Sequence, residues 1–79
     1  MNNKKMVIAQ YEAVRRLGQT NMFNKTMVQR IAYENRFYAL VNAIEENYGF
    51  ILENYSELMK LIEETDIPDC SPLKTSYSI

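Results

Sequence analysis

Large apolar residues recur at alternating intervals of four and three through the second half of the chain, at Phe37, Val41, Ile44, Tyr48, Ile51, Tyr55, Leu58 and Ile62. This seven-residue repeat predicts one long amphipathic helix over residues 36–64 with a coiled-coil-like seam to bury. Gly49 lies inside it and costs about 1 kcal/mol relative to Ala, yet the apolar phase runs through that position, so the helix is expected to be uninterrupted. Pro68 follows shortly after the last seam residue and cannot continue a helix.

Two shorter helices are predicted upstream. Over residues 3–17, Val7, Tyr11 and Val14 form a stripe widened by Ile8, Ala13 and Leu17, with Asn2 or Asn3 able to cap and Gly18 placed as the left-handed stop. Glu12 precedes Arg15 and Arg16 by three and four residues, the favourable order for helix ion pairs, each contributing about 0.2–0.5 kcal/mol. The polar run Gly18 to Asn24 reads as a loop, and Asn24 can cap a second helix over residues 25–34 with Met27, Val28, Ile31 and Ala32 inward. Phe23 before that cap is placed to pack on Val28 as a hydrophobic staple, so Met22 and Phe23 are expected to be buried loop anchors; the functional alternative is an exposed hot spot. The fold expected is all-α, a single domain over residues 1–65 with two short helices packed on one long one. A tail over residues 66–79, with Pro68, Pro72, Ser71, Ser76 and Ser78, is expected to end flexibly.

The helix lengths do not match. At about 1.5 Å per residue the long helix would span about 42 Å, and the first only about 21 Å. The end around Tyr55, Leu58 and Ile62 should therefore be partly uncovered by its own chain, offering a seam for a homodimer or another protein. A chain of 79 residues buries a low fraction of its surface, which also favours a partner.

Charge sharpens this picture. Residues 1–36 carry seven basic groups against two acidic ones, a balance of +5, while residues 37–79 carry two against eight, a balance of −6. At about 100° per residue, Glu45, Glu46, Glu53 and Glu57 gather opposite the seam as an acidic ridge, a surface suited to a basic channel in another protein. In the basic half, Arg15, Arg16, Lys25 and Arg30 are the candidate phosphate contacts of a DNA-binding alternative. The segment from Gly18 to Asn24 is longer than the usual turn of a helix-turn-helix, so nucleic acid ranks below protein as the expected partner.

Candidate chemistry is sparse. With no histidine, one cysteine and two glycines, the sequence has no cluster with metal-ligand spacing, no phosphate-cradling loop and no nucleophile paired with a base. No enzymatic activity, cofactor or metal is expected. Cys70 reads as an incidental thiol of a reducing compartment. No apolar run approaches the roughly 18 residues of a membrane span, and the start at Met1 lacks the apolar stretch of a signal peptide, so no membrane partner and a cytoplasmic location are expected.

One further signal comes from Gly18-Gln19-Thr20-Asn21-Met22-Phe23-Asn24, followed by Val28-Gln29, Ile31-Ala32, Glu34, Phe37-Tyr38, Leu40-Val41 and Ile44-Glu45-Glu46. Across roughly residues 8–47 the chain resembles a family of small uncharacterised proteins of bacteriophages and prophages of Gram-positive bacteria, which carry a Gly-x-Thr-Asn-Met-Phe-Asp core. It departs from the pattern at Asn24 and Ala39, where acids are usual. The motif loop Thr20, Asn21, Met22, Phe23 and Asn24 is the most specific part of the match. The resemblance implies a setting in which small proteins act stoichiometrically. The expectation that follows is an anti-CRISPR-like inhibitor of a bacterial defence nuclease, with a DNA-binding regulator and a homodimeric assembly module as alternatives.

Overall fold

The structure is a computed structural model that describes residues 3–74. Among these residues it is all helical, with α1 Lys4–Leu17, α2 Lys25–Glu34, α3 Tyr38–Glu53, α4 Tyr55–Met59 and a single 3₁₀ turn at Glu64–Asp66. The first helix stops where expected, at Gly18 with φ 70°, whose N–H donates to the Arg15 carbonyl. Its cap differs from expectation, because the Asn3 side chain makes no capping bond, and Asn2 lies outside the described residues. The second helix has the predicted bounds, and the Asn24 side chain accepts from the Met27 N–H at 3.2 Å.

The long helix predicted over residues 36–64 is interrupted twice, and neither break is at Gly49. Asn47 leaves helical geometry at φ −169° and ψ 85°, and its Oδ1 accepts from the Phe50 N–H at 3.2 Å, so it caps the helical stretch that follows. Asn54 makes the second break: its side-chain amide donates to the Phe50 carbonyl at 2.9 Å, while its own carbonyl accepts from the Leu58 N–H at 2.9 Å to start α4. In both places a short amide side chain offers the backbone an alternative to the helix ladder. The seam itself survives the breaks, because Phe37, Ile44, Tyr48, Ile51 and Leu58 are all buried.

The core lies where α1 and α2 cover α3, with Ile8, Val28, Ile31, Leu40, Ile44 and Ile51 fully buried. Shortening and bending the C-terminal half lets α4 pack on α1. The end expected to be partly uncovered at Tyr55, Leu58 and Ile62 is thus covered in part by its own chain: Leu58 is 4% exposed, while Tyr55 and Ile62 are partly buried against the core.

Beyond the 3₁₀ turn, Ile67, Cys70 and Leu73 pack partly buried against the core. Backbone groups of Ser71 exchange hydrogen bonds of 2.8 and 2.9 Å with the Asn35 amide, and those of Leu73 exchange 2.9 and 3.2 Å bonds with the Gln19 amide. The predicted flexible tail is thus fastened as far as Leu73, and residues 75–79 lie outside the described residues.

Candidate functional site

The motif loop is built by local hydrogen bonds. Asn21 Oδ1 accepts from the Phe23 N–H at 2.7 Å, and the Asn21 carbonyl accepts from the Asn24 N–H at 2.9 Å, a side-chain-supported turn that needs no tertiary contact. The Met22 carbonyl accepts from the Tyr48 hydroxyl at 2.6 Å, which pins the loop to α3. Thr20 and Met22 are half-buried, whereas Asn21 and Asn24 are exposed. Phe23 is not the buried anchor expected: it is 79% exposed, the most exposed large apolar side chain among the described residues. The staple fails because the turn at Asn21 and the cap at Asn24 fix the backbone on both sides of Phe23, while Val28 is already sealed in the core. With Met22, Tyr11, Arg15, Leu52 and Tyr55, Phe23 lines a shallow cavity of about 220 Å³.

Beside this cavity lies a polar cluster centred on Glu12, which is 1% exposed. Arg15 grips its carboxylate with two bonds of 2.8 Å, Arg16 adds a third of 2.8 Å, and the Tyr55 hydroxyl donates to it at 2.6 Å. The Tyr55 ring meets Tyr11 edge-on, with centroids 5.8 Å apart, and lies under the Arg15 guanidinium at 5.7 Å. Arg16 also pairs with Glu64, tying the 3₁₀ turn to α1. Hydrogen bonds from Arg15, then Tyr55 and Arg16, outweigh burial and hold the Glu12 carboxyl down at about 2. Bonding to Glu12 pushes the Arg15 guanidinium upward, and bonding to Glu64 and Glu12 does so for Arg16. Burial raises the hydroxyls of Tyr11, Tyr48 and Tyr55 and the Cys70 thiol.

This cluster changes the meaning of several sequence candidates. Arg15 and Arg16, expected as phosphate contacts, are committed to carboxylates. Lys25 and Arg30, the other two, are exposed on α2. Tyr55, expected as a seam residue, spends its hydroxyl on Glu12. The cluster could have been found in the sequence: Glu12 stands four residues after Ile8 and within the run from Tyr11 to Val14, on the face that faces the core.

Glu45, Glu46, Glu53 and Glu57 are all exposed, but the breaks at Asn47 and Asn54 distribute them over three helical stretches rather than one straight rod. Glu45 accepts a 2.8 Å bond from Gln29, and Glu57 pairs with Lys60 at 3.3 Å. Among the described residues, no group of His, Cys, Asp and Glu is placed to hold a metal ion, and no helix is long and apolar enough to cross a membrane.

A family match spans residues 1–56, from α1 into the start of α4, and so includes the motif loop and all three side chains that bond the buried carboxylate, Arg15, Arg16 and Tyr55, but not Arg16's second partner Glu64. The chain belongs to the DUF5049 family. DUF5049 is described as a domain of unknown function, so membership supplies kinship without an activity. No curated protein and no solved structure matches the chain. The DUF5049 match stops before Glu64 and the segment that Asn35 and Gln19 hold down, which lie outside the matched residues.

Proposed function

We propose that this DUF5049 protein is a non-enzymatic binding module that occupies a surface of another protein, with Phe23 as its anchor. The observation that supports this most is a phenylalanine 79% exposed on a loop whose backbone is hydrogen-bonded at Asn21, Met22, Phe23 and Asn24. An aromatic side chain presented on a pre-ordered loop loses little entropy on docking, which is how binding hot spots are built. The neighbouring cavity, walled by Leu52 and Tyr55, would receive an apolar side chain of the partner in return.

The partner we infer is a protein with a basic channel, such as a bacterial defence nuclease. Glu45, Glu46, Glu53 and Glu57 supply exposed negative charge on α3 and α4, which steers association with a positive surface. A DNA-binding regulator working through Arg15 and Arg16 has less support, since both guanidinium groups face carboxylates. The test is a pull-down from nuclease-treated host lysate, followed by binding of the recovered protein to purified variants. Phe23→Ala should weaken binding by at least about tenfold, the scale of a hot-spot residue, and Glu53→Lys with Glu57→Lys should slow association. Full binding by Phe23→Ala would contradict the proposal.

A further inference from the structure

The corner between α2 and α3 has features that the Phe23 surface does not use. Here α2 ends in a Schellman arrangement: the Arg36 N–H donates to the Tyr33 carbonyl at 3.0 Å and the Phe37 N–H to the Ala32 carbonyl at 2.8 Å. The pivotal residue of such an ending takes a left-handed backbone, and glycine is its usual occupant. At the end of α1 that residue is Gly18. At the end of α2 it is Arg36, with φ 61°. A residue with a Cβ adopts that geometry at a cost, and strained residues concentrate where a side chain has a use.

Two tyrosines flank it. Tyr33 and Tyr38 are 59% and 51% exposed, and their rings meet edge-to-face with centroids 6.0 Å apart, so each is braced by the other while leaving ring surface open. Arg30 stands one turn before Tyr33 on the same face of α2. It is exposed and lines a cleft of about 410 Å³ that Lys74 and Glu34 also line. Among the described residues, Arg30, Arg36 and Lys74 make no ion pair. Glu34 is the sole carboxylate among the residues lining that cleft, so cations outnumber acids at this corner even though the whole chain carries a charge of −1.

The geometry points to a binding site for single-stranded nucleic acid at this corner, with bases stacking on Tyr33 and Tyr38 and phosphates meeting Arg30, Arg36 and Lys74. Exposed aromatic rings interleaved with cations suit that ligand, because every base has a π-face and every linkage a negative charge. A duplex fits poorly, since its bases are already stacked and paired. The net negative charge of the chain also argues against general adhesion to any polyanion, so binding would have to come from this local patch. The site goes beyond the Phe23 proposal and shares no residue with it, so either can fail alone.

Fluorescence anisotropy at low salt tests it, using oligo-dT, oligo-U and a duplex of equal length. Single strands should bind with micromolar affinity and the duplex about tenfold or more weakly; the dT and U arms show whether DNA or RNA is preferred. Tyr33→Ala and Tyr38→Ala should each lose about fivefold or more, the scale of one stacked base. Arg36→Gly should lose affinity and flatten the salt dependence while its Tm stays equal or rises, which separates a binding role from a folding defect. Absence of single-strand binding, equal binding to duplex, or tyrosine variants that bind like the parent would each overturn the assignment.

Discussion

Arg15 and Arg16 at the end of α1, and Arg30 and Arg36 around the end of α2, carry the same charge and are all exposed in part, yet they face opposite surroundings. The first pair is clamped to Glu12, with Arg16 reaching on to Glu64. The second pair makes no ion pair among the described residues, and one of the two sits on a strained backbone between exposed tyrosines. A balance of +5 over residues 1–36 thus says nothing about which cations are available. Availability is decided by whether a carboxylate has been buried within reach.

The largest expected effect is on the clamped side. Glu12→Gln removes a buried charge gripped by two guanidinium groups and a hydroxyl, and should cost about 2–4 kcal/mol of stability, read as a lower urea midpoint with an unchanged slope. If Glu12 made only the surface pairs that its spacing from Arg15 and Arg16 suggests, the loss would stay below about 1 kcal/mol. The same residue sets a pH dependence. Its folded value of about 2 lies below the ordinary 4.5, so its contribution is complete above about pH 4.5 and is lost as pH falls toward 2. Stability should decline through that window in the parent, and Glu12→Gln should remove the Glu12 share of the decline. Glu64, lowered by Arg16, acts in the same direction from an exposed position.

A smaller effect is expected at Tyr55. Tyr55→Phe keeps the ring against Tyr11 and deletes only the hydroxyl that donates to Glu12, for a loss of about 1.5–2 kcal/mol. A loss under about 0.5 kcal/mol would mean that the hydroxyl merely replaces a water.

The smallest effect has the opposite sign. Arg36→Gly relieves the left-handed strain at φ 61° and should stabilise the fold by up to about 1 kcal/mol, offset in part by the greater freedom of glycine when unfolded. Destabilisation there would show that the Arg36 side chain supports the fold, and would weaken the contrast between the two pairs.

Much of the first half of this fold was legible in the chain itself. Gly18, Asn24 and Asn35 punctuate α1 and α2 through local chemistry, and local chemistry is written in neighbouring residues. The C-terminal half was legible in phase but not in continuity. Five of the heptad positions are buried and Val41, Tyr55 and Ile62 are partly buried, but Asn47 and Asn54 each have a side chain that competes with the helix backbone. Such residues are neutral or weakly unfavourable inside a helix, and only the packing of α4 onto α1 decides that they break it.

The binding candidates divide along the same line. The loop at Phe23 was marked by its motif, but its outward direction depends on how the Asn21 turn meets the Asn24 cap. Of the Tyr33, Arg36 and Tyr38 corner, only Tyr38 fell within the resembling pattern, and nothing there marked a binding role. Its signal was a non-glycine at the pivotal position of a helix ending, which requires the backbone to be seen.

The contrast between the two arginine pairs can be read directly from side-chain reactivity. Timed modification of the folded protein with phenylglyoxal, with each arginine followed by peptide mass spectrometry, should label Arg30 and Arg36 first. Arg15 and Arg16 should lag, because their guanidinium groups are engaged in hydrogen-bonded ion pairs with Glu12 and Glu64. Equal rates at all four positions, or faster labelling of Arg15 and Arg16, would contradict the account.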